Sequence, residues 1–179
     1  MPRIDLRYRV DEILREPKTI LGETRWVAGA RPGIQELKRT LLVNGEAIGA
    51  FLISQAYPRT VGRDFRHLIT FLPHSGQRRD ARCICRLDNA PETDGPHIND
   101  FGGGSDYLPI RVNDVHYHDW AGNRHLATSR DLPQKLLYAR NIDSKINNII
   151  DGFWWFCEQN HIVATSMEAP EWPTSTQLL

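Results

Sequence analysis

Residues 37–57 read LKRTLLVNGEAIGAFLISQAY and carry the strongest structural signal in the chain. At their centre is the dipeptide Asn44-Gly45, and both of these residues tolerate the positive φ angles that a type I′ turn requires. Segments of strand-like composition lie on both sides of this turn. The sequence therefore predicts a β-hairpin whose strands cover residues 37–43 and 46–57.

Further strands are predicted on both sides of this hairpin. Apolar and charged residues alternate from Arg3 to Val10, which is the period of a strand with one buried face. We expect a strand there, followed by a short turn that ends at Pro17. The other expected strands cover residues 65–71, 82–87, 107–112, 115–120 and 124–126. Residues 89–105 are rich in Pro, Asp, Gly and Asn and predict a long ordered loop.

A helix is predicted near the C-terminus. Asp143 or Ser144 can cap it, and its apolar residues recur at steps of three and four. These apolar residues are Ile146, Ile149, Ile150, Phe153, Trp154 and Cys157. The predicted fold class is α+β, with a mainly antiparallel β-sheet, a meander that could close into a barrel, packed against a C-terminal α-helix. We expect a single domain over residues 1–167 and a loosely held tail over residues 168–179.

Composition narrows the classes of function. The chain has 22 Lys and Arg against 22 Asp and Glu, so no net charge attracts nucleic acid or an acidic membrane surface. No apolar stretch approaches the ~20 residues of a membrane span, and no secretory signal is visible, so we expect a cytoplasmic protein without a membrane partner. Cys83, Cys85 and Cys157 are expected to be buried apolar side chains. Dinucleotide, P-loop and G-x-S-x-G motifs are missing from the sequence.

The first candidate site follows a predicted strand. Arg86 and Asp88 lie at its end, and His97 and Asn99 follow in the long loop, where polar side chains can be held near the surface. Arg86 could bind a phosphate or a carboxylate, and Asp88 could orient Arg86 or a histidine. In the structural alternative, Asp88 and Asn99 shape the loop through backbone hydrogen bonds and Arg86 pairs with a carboxylate.

The second candidate site is the predicted strand VHYHDW at residues 115–120. Strand geometry places His116 and His118 on one face and Tyr117 on the other. The two imidazoles could supply a general acid and a general base, because histidine titrates near neutrality. They could also be two ligands of a metal ion, for which the sequence identifies no third ligand. A sheet-surface pair without a chemical role is the remaining interpretation.

Basic residues concentrate around the central strand and its flanking turns, although the whole chain is neutral. They are Arg59, Arg63, Arg66, Arg78, Arg79 and Arg82. Guanidinium groups match phosphate oxygens, so nucleic acid is expected to bind here. Tyr57, Phe65 and His67 could add a stacking surface if they are exposed. A solvated strand edge that discourages strand pairing is the alternative interpretation.

The order of these motifs resembles that of known proteins. R-L-D at residues 86–88, P-H-x-N at residues 96–99 and H-x-H at residues 116–118 resemble the pattern of a group of small uncharacterised bacterial proteins. The similarity in order extends over residues 66–161. It implies a shared architecture for this part of the chain.

The sequence RLDNAP at residues 86–91, with a following Pro-His, also resembles the TumE-type toxins of bacterial toxin and antitoxin pairs. Those toxins carry D-N-A-P and then a histidine cluster. Their paired histidines directly follow D-N-A-P, whereas Glu92 and Thr93 stand in that place here and the histidine comes at His97. The resemblance implies a toxin that acts on RNA.

We therefore expect a toxin-like endoribonuclease that needs no metal or other cofactor. One of His97, His116 and His118 would remove the 2′-hydroxyl proton, another would protonate the leaving 5′-oxygen, and Arg86 would stabilise the phosphorane. The alternative is a non-catalytic interaction or inhibitor protein in bacterial defence or phage counter-defence, anti-CRISPR-like or an accessory factor. The partner would be RNA, an antitoxin or a defence component. The sequence leaves the oligomeric state open.

Overall fold

The computed structural model describes residues 5–57, 64–73, 80–89, 97–99, 109, 111–112, 115–142 and 145–171. The strands are β1 Lys18–Ile20, β2 Val27–Ala28, β3 Gln35–Val43, β4 Glu46–Ala56, β5 Phe65–Phe71, β6 Arg82–Asn89, β7 Val115–His118, β8 Arg140–Asn141 and β9 Ile162–Val163. Within these described residues they form one sheet in the order β8-β7-β6-β5-β4-β3-β1-β9, with β2 paired to β3. Among the strands of the described residues, only β1 and β9 pair in parallel. The mainly antiparallel sheet is confirmed, but it is not closed into a barrel.

The helices are α1 Leu6–Arg15, α2 Trp120–Asn123 and α3 Ile149–Gln159, and a 3-10 turn, Arg124–Leu126, follows α2. The C-terminal helix α3 packs on the sheet as expected, which confirms the α+β class. In the described part of the chain, no helix has the length and apolar character needed to cross a membrane. The three cysteines are free thiols, and all are buried except Cys83, which is partly exposed.

The central hairpin forms as the sequence predicts. Asn44 and Gly45 have φ angles of 51° and 81°, so both occupy the left-handed region that a type I′ turn demands. The strands that flank them, β3 and β4, pair along nearly their whole length. The predicted strands at residues 65–71 and 82–87 are also present, and β6 continues to Asn89.

The predicted N-terminal strand is wrong, because the described part of residues 3–10 belongs to α1. Leu6, Val10 and Ile13 are buried, at spacings of four and three that place them on one face of a helix. Asp5 caps this helix by accepting a hydrogen bond from the amide of Arg7 at 2.9 Å. Leu6 and Val10 fit a strand face or a helix face, but Tyr8, which a strand would place beside them, is exposed, and Ile13 continues only the helical spacing.

The chain after β7 also differs from the prediction. Asp119 accepts a hydrogen bond from the amide of Gly122 at 2.7 Å, and this cap starts α2 where a strand was expected to continue. The expected strand at residues 124–126 is instead the 3-10 turn. Of the expected strand at residues 107–112, the described residues contain only an isolated bridge between Arg111 and Ile98. Most of the predicted loop at residues 89–105 lies outside the described residues.

The predicted N-cap of α3 is also wrong. Asn148 caps the helix, because its side chain accepts hydrogen bonds from the amides of Ile150 and Asp151 at 2.8 and 3.0 Å. Asp143 and Ser144 lie outside the described residues. The apolar pattern starts before the helix, because Ile146 also packs against the core although α3 begins only at Ile149.

Helix α3 covers one face of the sheet. His67, Leu87 and Tyr117 are directly opposed on β5, β6 and β7, and they share that face. The ring of His67 donates from Nε2 to the carbonyl of Ile149 at 3.1 Å. The ring of Tyr117 lies 5.2 Å from that of Trp155, in edge contact. The polar side chains that alternate with these residues therefore project from the other face, which we call the open face because α3 does not cover it.

Replacing Gly152 with Ala tests this close contact between helix and sheet. An added Cβ would lie 2.5 Å from a ring carbon of Phe65 and 3.3 Å from Nε2 of His67. We expect the free energy of unfolding to fall by about 1–3 kcal/mol, as for other overpacked cores. Urea denaturation measures it, and Glu158→Ala on the exposed side of α3 should change it by less than ~0.5 kcal/mol. Equal stability of both variants would contradict the packing.

Burial of His67 predicts a pH dependence of stability. Burial lowers the pKa of His67 from 6.5 to about 3. Below pH 6.5 the unfolded chain therefore binds a proton that the folded chain does not, and stability is lost as the pH falls towards 3. The contribution of this group approaches about 1.4 kcal/mol per pH unit. His67→Gln removes this titrating group, so the slope of the free energy of unfolding against pH should fall by up to about 1.4 kcal/mol per pH unit, even if the variant is less stable overall. Urea denaturation at several pH values measures the slope. A slope equal to that of the wild type would contradict this prediction.

Candidate functional site

The register of the sheet brings polar residues of neighbouring strands together. Arg66 of β5 lies opposite Asp88 of β6, and Asp88 lies opposite His116 of β7. Two positions along the same strands, Arg86 lies opposite His118. Directly opposed residues project from one face of the sheet, and so do residues two apart along a strand. The five side chains therefore lie together on the face that α3 does not cover.

The third histidine comes from outside the sheet. The ring of His97 is stacked on that of His116, with centroids 5.2 Å apart, and meets that of His118 edge-on at 4.7 Å. The rings of His116 and His118 are 5.1 Å apart. The three residues form the histidine cluster, in which one ring nitrogen from each lies within 4.8 Å of the others. The fold thus brings together the histidines whose convergence the sequence left open.

Backbone carbonyls hold two of the three rings. Nε2 of His97 donates to the carbonyl of Leu137 at 3.0 Å, and Nδ1 of His118 donates to the carbonyl of Tyr138 at 3.1 Å. A carbonyl oxygen can only accept, so each of these ring nitrogens carries the proton. When such a ring is neutral, its other nitrogen has a lone pair. Nη2 of Arg86 donates to the lone pair of His118 Nε2 at 2.9 Å.

His118 is held in the neutral form. Burial, followed by the positive charge of Arg86, lowers the pKa of His118 from 6.5 to about 2. Its side chain is completely buried. At neutral pH the ring therefore accepts one hydrogen bond from Arg86 and donates one to Tyr138. This arrangement makes His118 a positioning residue for the guanidinium group.

Asp88 links the two guanidinium groups on the open face. Its Oδ1 lies 2.5 Å from Nε of Arg66, and its Oδ2 lies 2.5 Å from Nε of Arg86. Oδ2 is also 3.8 Å from Nε2 of His116 and 3.6 Å from Nε2 of His118. Burial raises the pKa of a carboxyl group, but the charges of Arg86 and Arg66 outweigh it and lower the pKa of Asp88. The carboxylate is therefore ionised at neutral pH.

Two buried asparagines hold the segment that supplies the carbonyls. Asn99 accepts from the amide of Ala139 and donates to its carbonyl, both at 2.8 Å, and it also donates to the carbonyl of Pro109. Asn123 binds the amide and the carbonyl of Tyr138 in the same way, at 2.9 and 2.8 Å. Sequence reasoning missed Asn123 and residues 137–139. No local sequence pattern predicts this role, because it depends on hydrogen bonds with backbone groups that are distant in the sequence.

The cluster could also be considered as a metal centre. A tetrahedral zinc ion places its ligand nitrogens roughly 3.4 Å apart, whereas those of the histidine cluster spread over as much as 4.8 Å. A cation would also compete with Arg86 for the lone pair of His118. Two guanidinium groups face one carboxylate at this site, so the charges of the described residues favour an anion. The expected absence of a metal stays a prediction.

The proposed basic surface is only partly within the described residues. Arg59, Arg63, Arg78 and Arg79 lie outside them. Arg66 pairs with Asp88, and Arg82 lies partly buried at the start of β6. Phe65 and His67 were expected to add a stacking surface, but both are completely buried on the face that α3 covers. Tyr57 is the one of the three that remains partly exposed.

Comparison with family models, curated proteins and solved structures found no match. The similarity to the TumE-type toxins therefore rests on the sequence motifs alone and stays a prediction. What bears on function is the chemistry of the histidine cluster and its two arginines.

Replacing Asn99 with Ala tests how the cluster is held. The change leaves the amide and the carbonyl of Ala139 without these partners, and each unsatisfied buried group costs about 1–3 kcal/mol. We expect the free energy of unfolding in urea to fall by at least about 2 kcal/mol. Gln134→Ala, an exposed amide of the same segment, should change it by less than ~0.5 kcal/mol. An Asn99→Ala variant as stable as this control would contradict the assignment.

Proposed function

We propose that the histidine cluster cleaves RNA, and that the protein is a metal-independent endoribonuclease of the toxin type. The observation that carries the proposal is the convergence of three imidazoles beside Arg66 and Arg86 on the open face of the sheet. Imidazoles transfer protons near neutral pH, and guanidinium groups bind phosphate oxygens. A phosphodiester is the substrate that needs both.

The three histidines have different environments and therefore different roles. His118 is neutral, completely buried and engaged by Arg86, so it positions the guanidinium group. His116 is close to fully buried, and His97 is partly exposed. Nε2 of His97 is engaged by the carbonyl of Leu137, so proton transfer to or from a substrate would use its Nδ1. His97 and His116 are thus the candidate catalytic pair.

The reaction is an internal transfer of the phosphoryl group. One histidine of the pair takes the proton of the 2′-hydroxyl, and the 2′-oxygen forms a bond to phosphorus. The bond from phosphorus to the 5′-oxygen breaks, and the other histidine, in its protonated form, gives its proton to that oxygen. The products are a 2′,3′-cyclic phosphate and a 5′-hydroxyl. No water, metal or redox partner is consumed in this step.

The two arginines stabilise the negative charge that develops on the phosphate in the transition state. Preorganised donors around a transition-state anion lower the barrier, because they do not need to reorient. Arg86 forms an ion pair with Asp88, and its Nη2 donates a hydrogen bond to His118. Asp88 also holds Arg66. The carboxylate is therefore a positioning residue that fixes both guanidinium groups without contacting the substrate.

The motif similarity supports a toxin role for this activity. An endoribonuclease without base-pairing guidance would degrade cellular RNA, so its expression should arrest growth. A cognate antitoxin would then be the protein partner. Growth arrest that disappears in a variant of the candidate pair would link toxicity to the same site.

RNA cleavage is the direct test. Purified protein is incubated with a mixed-sequence RNA in the presence of a chelator, and the ends of the products are analysed by mass spectrometry. We expect 2′,3′-cyclic phosphate ends, and a loss of rate of about 10²- to 10⁴-fold in His97→Ala and in His116→Ala. The matched control is His161→Asn, an exposed histidine beside β9 at the far end of the sheet, which should cleave at the wild-type rate.

Other outcomes would overturn the proposal. Intact RNA in every sample would remove the ribonuclease and favour a non-catalytic interaction protein. Cleavage that stops in the chelator and returns with zinc or manganese would replace the metal-free mechanism with a metal centre. Cleavage that persists in both histidine variants would place the activity in a contaminant or in another part of the chain.

A further inference from the structure

A second concave surface adjoins the histidine cluster on the same face of the sheet. It is a cavity of about 280 Å³ whose walls include Arg31, Ile34, Glu36, Gln55, Tyr57 and Arg66. Arg66 belongs to both places, because it lines this cavity and pairs with Asp88. We call this cavity the Glu36 pocket. Its walls are polar and carry charges of both signs.

The pocket and the cluster lie on one line across the sheet. Glu36 of β3 is directly opposed to Gln55 of β4, and Gln55 is opposed to Arg66 of β5. The same line continues from Arg66 to Asp88 and then to His116. Four strand spacings separate Glu36 from His116, which is about 19 Å between backbones. Arg66 lies midway, about 10 Å from Glu36, which matches the reach of one nucleotide from its base to its 3′-phosphate, and its pairing with Asp88 connects it to the histidine cluster.

Hydrogen bonds fix the polar groups of the pocket. The hydroxyl of Tyr57 donates to Oε1 of Gln55 at 3.2 Å, and Nε2 of Gln55 donates to Oε2 of Glu36 at 2.9 Å. Since a carboxylate can only accept, the orientation of the Gln55 amide is determined by this chain. Glu36 therefore offers a fixed acceptor to the pocket, and the partly buried ring of Tyr57 lies beside it.

We propose that the Glu36 pocket binds a guanine base next to the phosphate that is cleaved. This inference rests on the proposed ribonuclease function and assigns its base specificity. Guanine alone presents two adjacent donors, N1–H and the N2 amino group, to a carboxylate. Adenine and cytosine place an acceptor nitrogen at the corresponding position, and uracil has a single donor between two carbonyl oxygens.

The remaining groups of the pocket complement the rest of the nucleotide. Arg31 is exposed at the rim, where its guanidinium group can bind a neighbouring phosphate of the chain whatever the base. The ring of Tyr57 can stack on the base, since aromatic side chains stack on unpaired bases. Arg66 directs the attached phosphate towards Arg86 and the histidine cluster. The base and the reacting phosphate thus occupy neighbouring sites on one line of residues.

Nucleotide binding tests the pocket independently of cleavage. Isothermal titration of the whole protein with 3′-GMP and with 3′-AMP compares their affinities, and neither ligand can be cleaved. We expect 3′-GMP to bind at least about tenfold more tightly, which is within the discrimination of a bidentate base contact. In Glu36→Gln the ratio should fall close to one, because the amide can donate as well as accept. Glu46→Gln, an exposed carboxylate near the start of β4, is the matched control and should keep the preference.

The cleavage sites separate this inference from the function on which it rests. Wild-type protein should cut RNA on the 3′ side of guanosine, and Glu36→Gln should cut with that preference lost. Cleavage without base preference in the wild type, or an unchanged preference in Glu36→Gln, would overturn the guanine pocket and leave the ribonuclease intact. Preferential binding of 3′-GMP by a protein that cuts no RNA would overturn the ribonuclease and leave the pocket assigned.

Discussion

The carboxylate of Asp88 is the charge around which the open face is arranged. A buried carboxylate is costly unless it is paired, and here Arg66 and Arg86 each contribute an Nε at 2.5 Å. The pairing orders two long side chains that would otherwise sample many rotamers. One of them then fixes His118, and the other forms a wall of the Glu36 pocket. Both candidate sites thus depend on one carboxylate near the middle of the sheet.

The backbone supports the cluster as much as the side chains do. Carbonyls of Leu137 and Tyr138 determine which nitrogens of His97 and His118 carry protons. Asn123 binds the amide and the carbonyl of Tyr138, and Asn99 binds those of the next residue, Ala139, so both hold the segment that carries these carbonyls. Buried amides that satisfy backbone groups are rigid, because breaking either bond leaves an unpaired polar atom. The rings are therefore oriented before any substrate arrives.

The two faces of the sheet have different roles: the face under α3 stabilises the fold, and the other face carries the candidate functional residues. On the covered face, the absence of a side chain at Gly152 lets α3 approach the rings of Phe65 and His67. His67 is neutral there and serves packing, with a hydrogen bond to α3. On the open face, the alternate residues of the same strands carry charge. This separation explains why His67 and His118, two strands apart in the same sheet, have such different partners.

Local patterns in the sequence were enough for the hairpin at Asn44-Gly45, the central strands and the helix at the C-terminus, because turn geometry and side-chain period act over a few residues. They were not enough at the N-terminus, where the alternation over residues 3–10 predicted a strand, whereas burial of Leu6, Val10 and Ile13 against the core favours the helix. The pairing of His116 with His118 followed from the period of a strand. Three other features depend on strand register and on contacts between distant residues, which only the tertiary structure establishes. They are the approach of His97, the burial of Asp88 between two arginines and the line from Glu36 to His116.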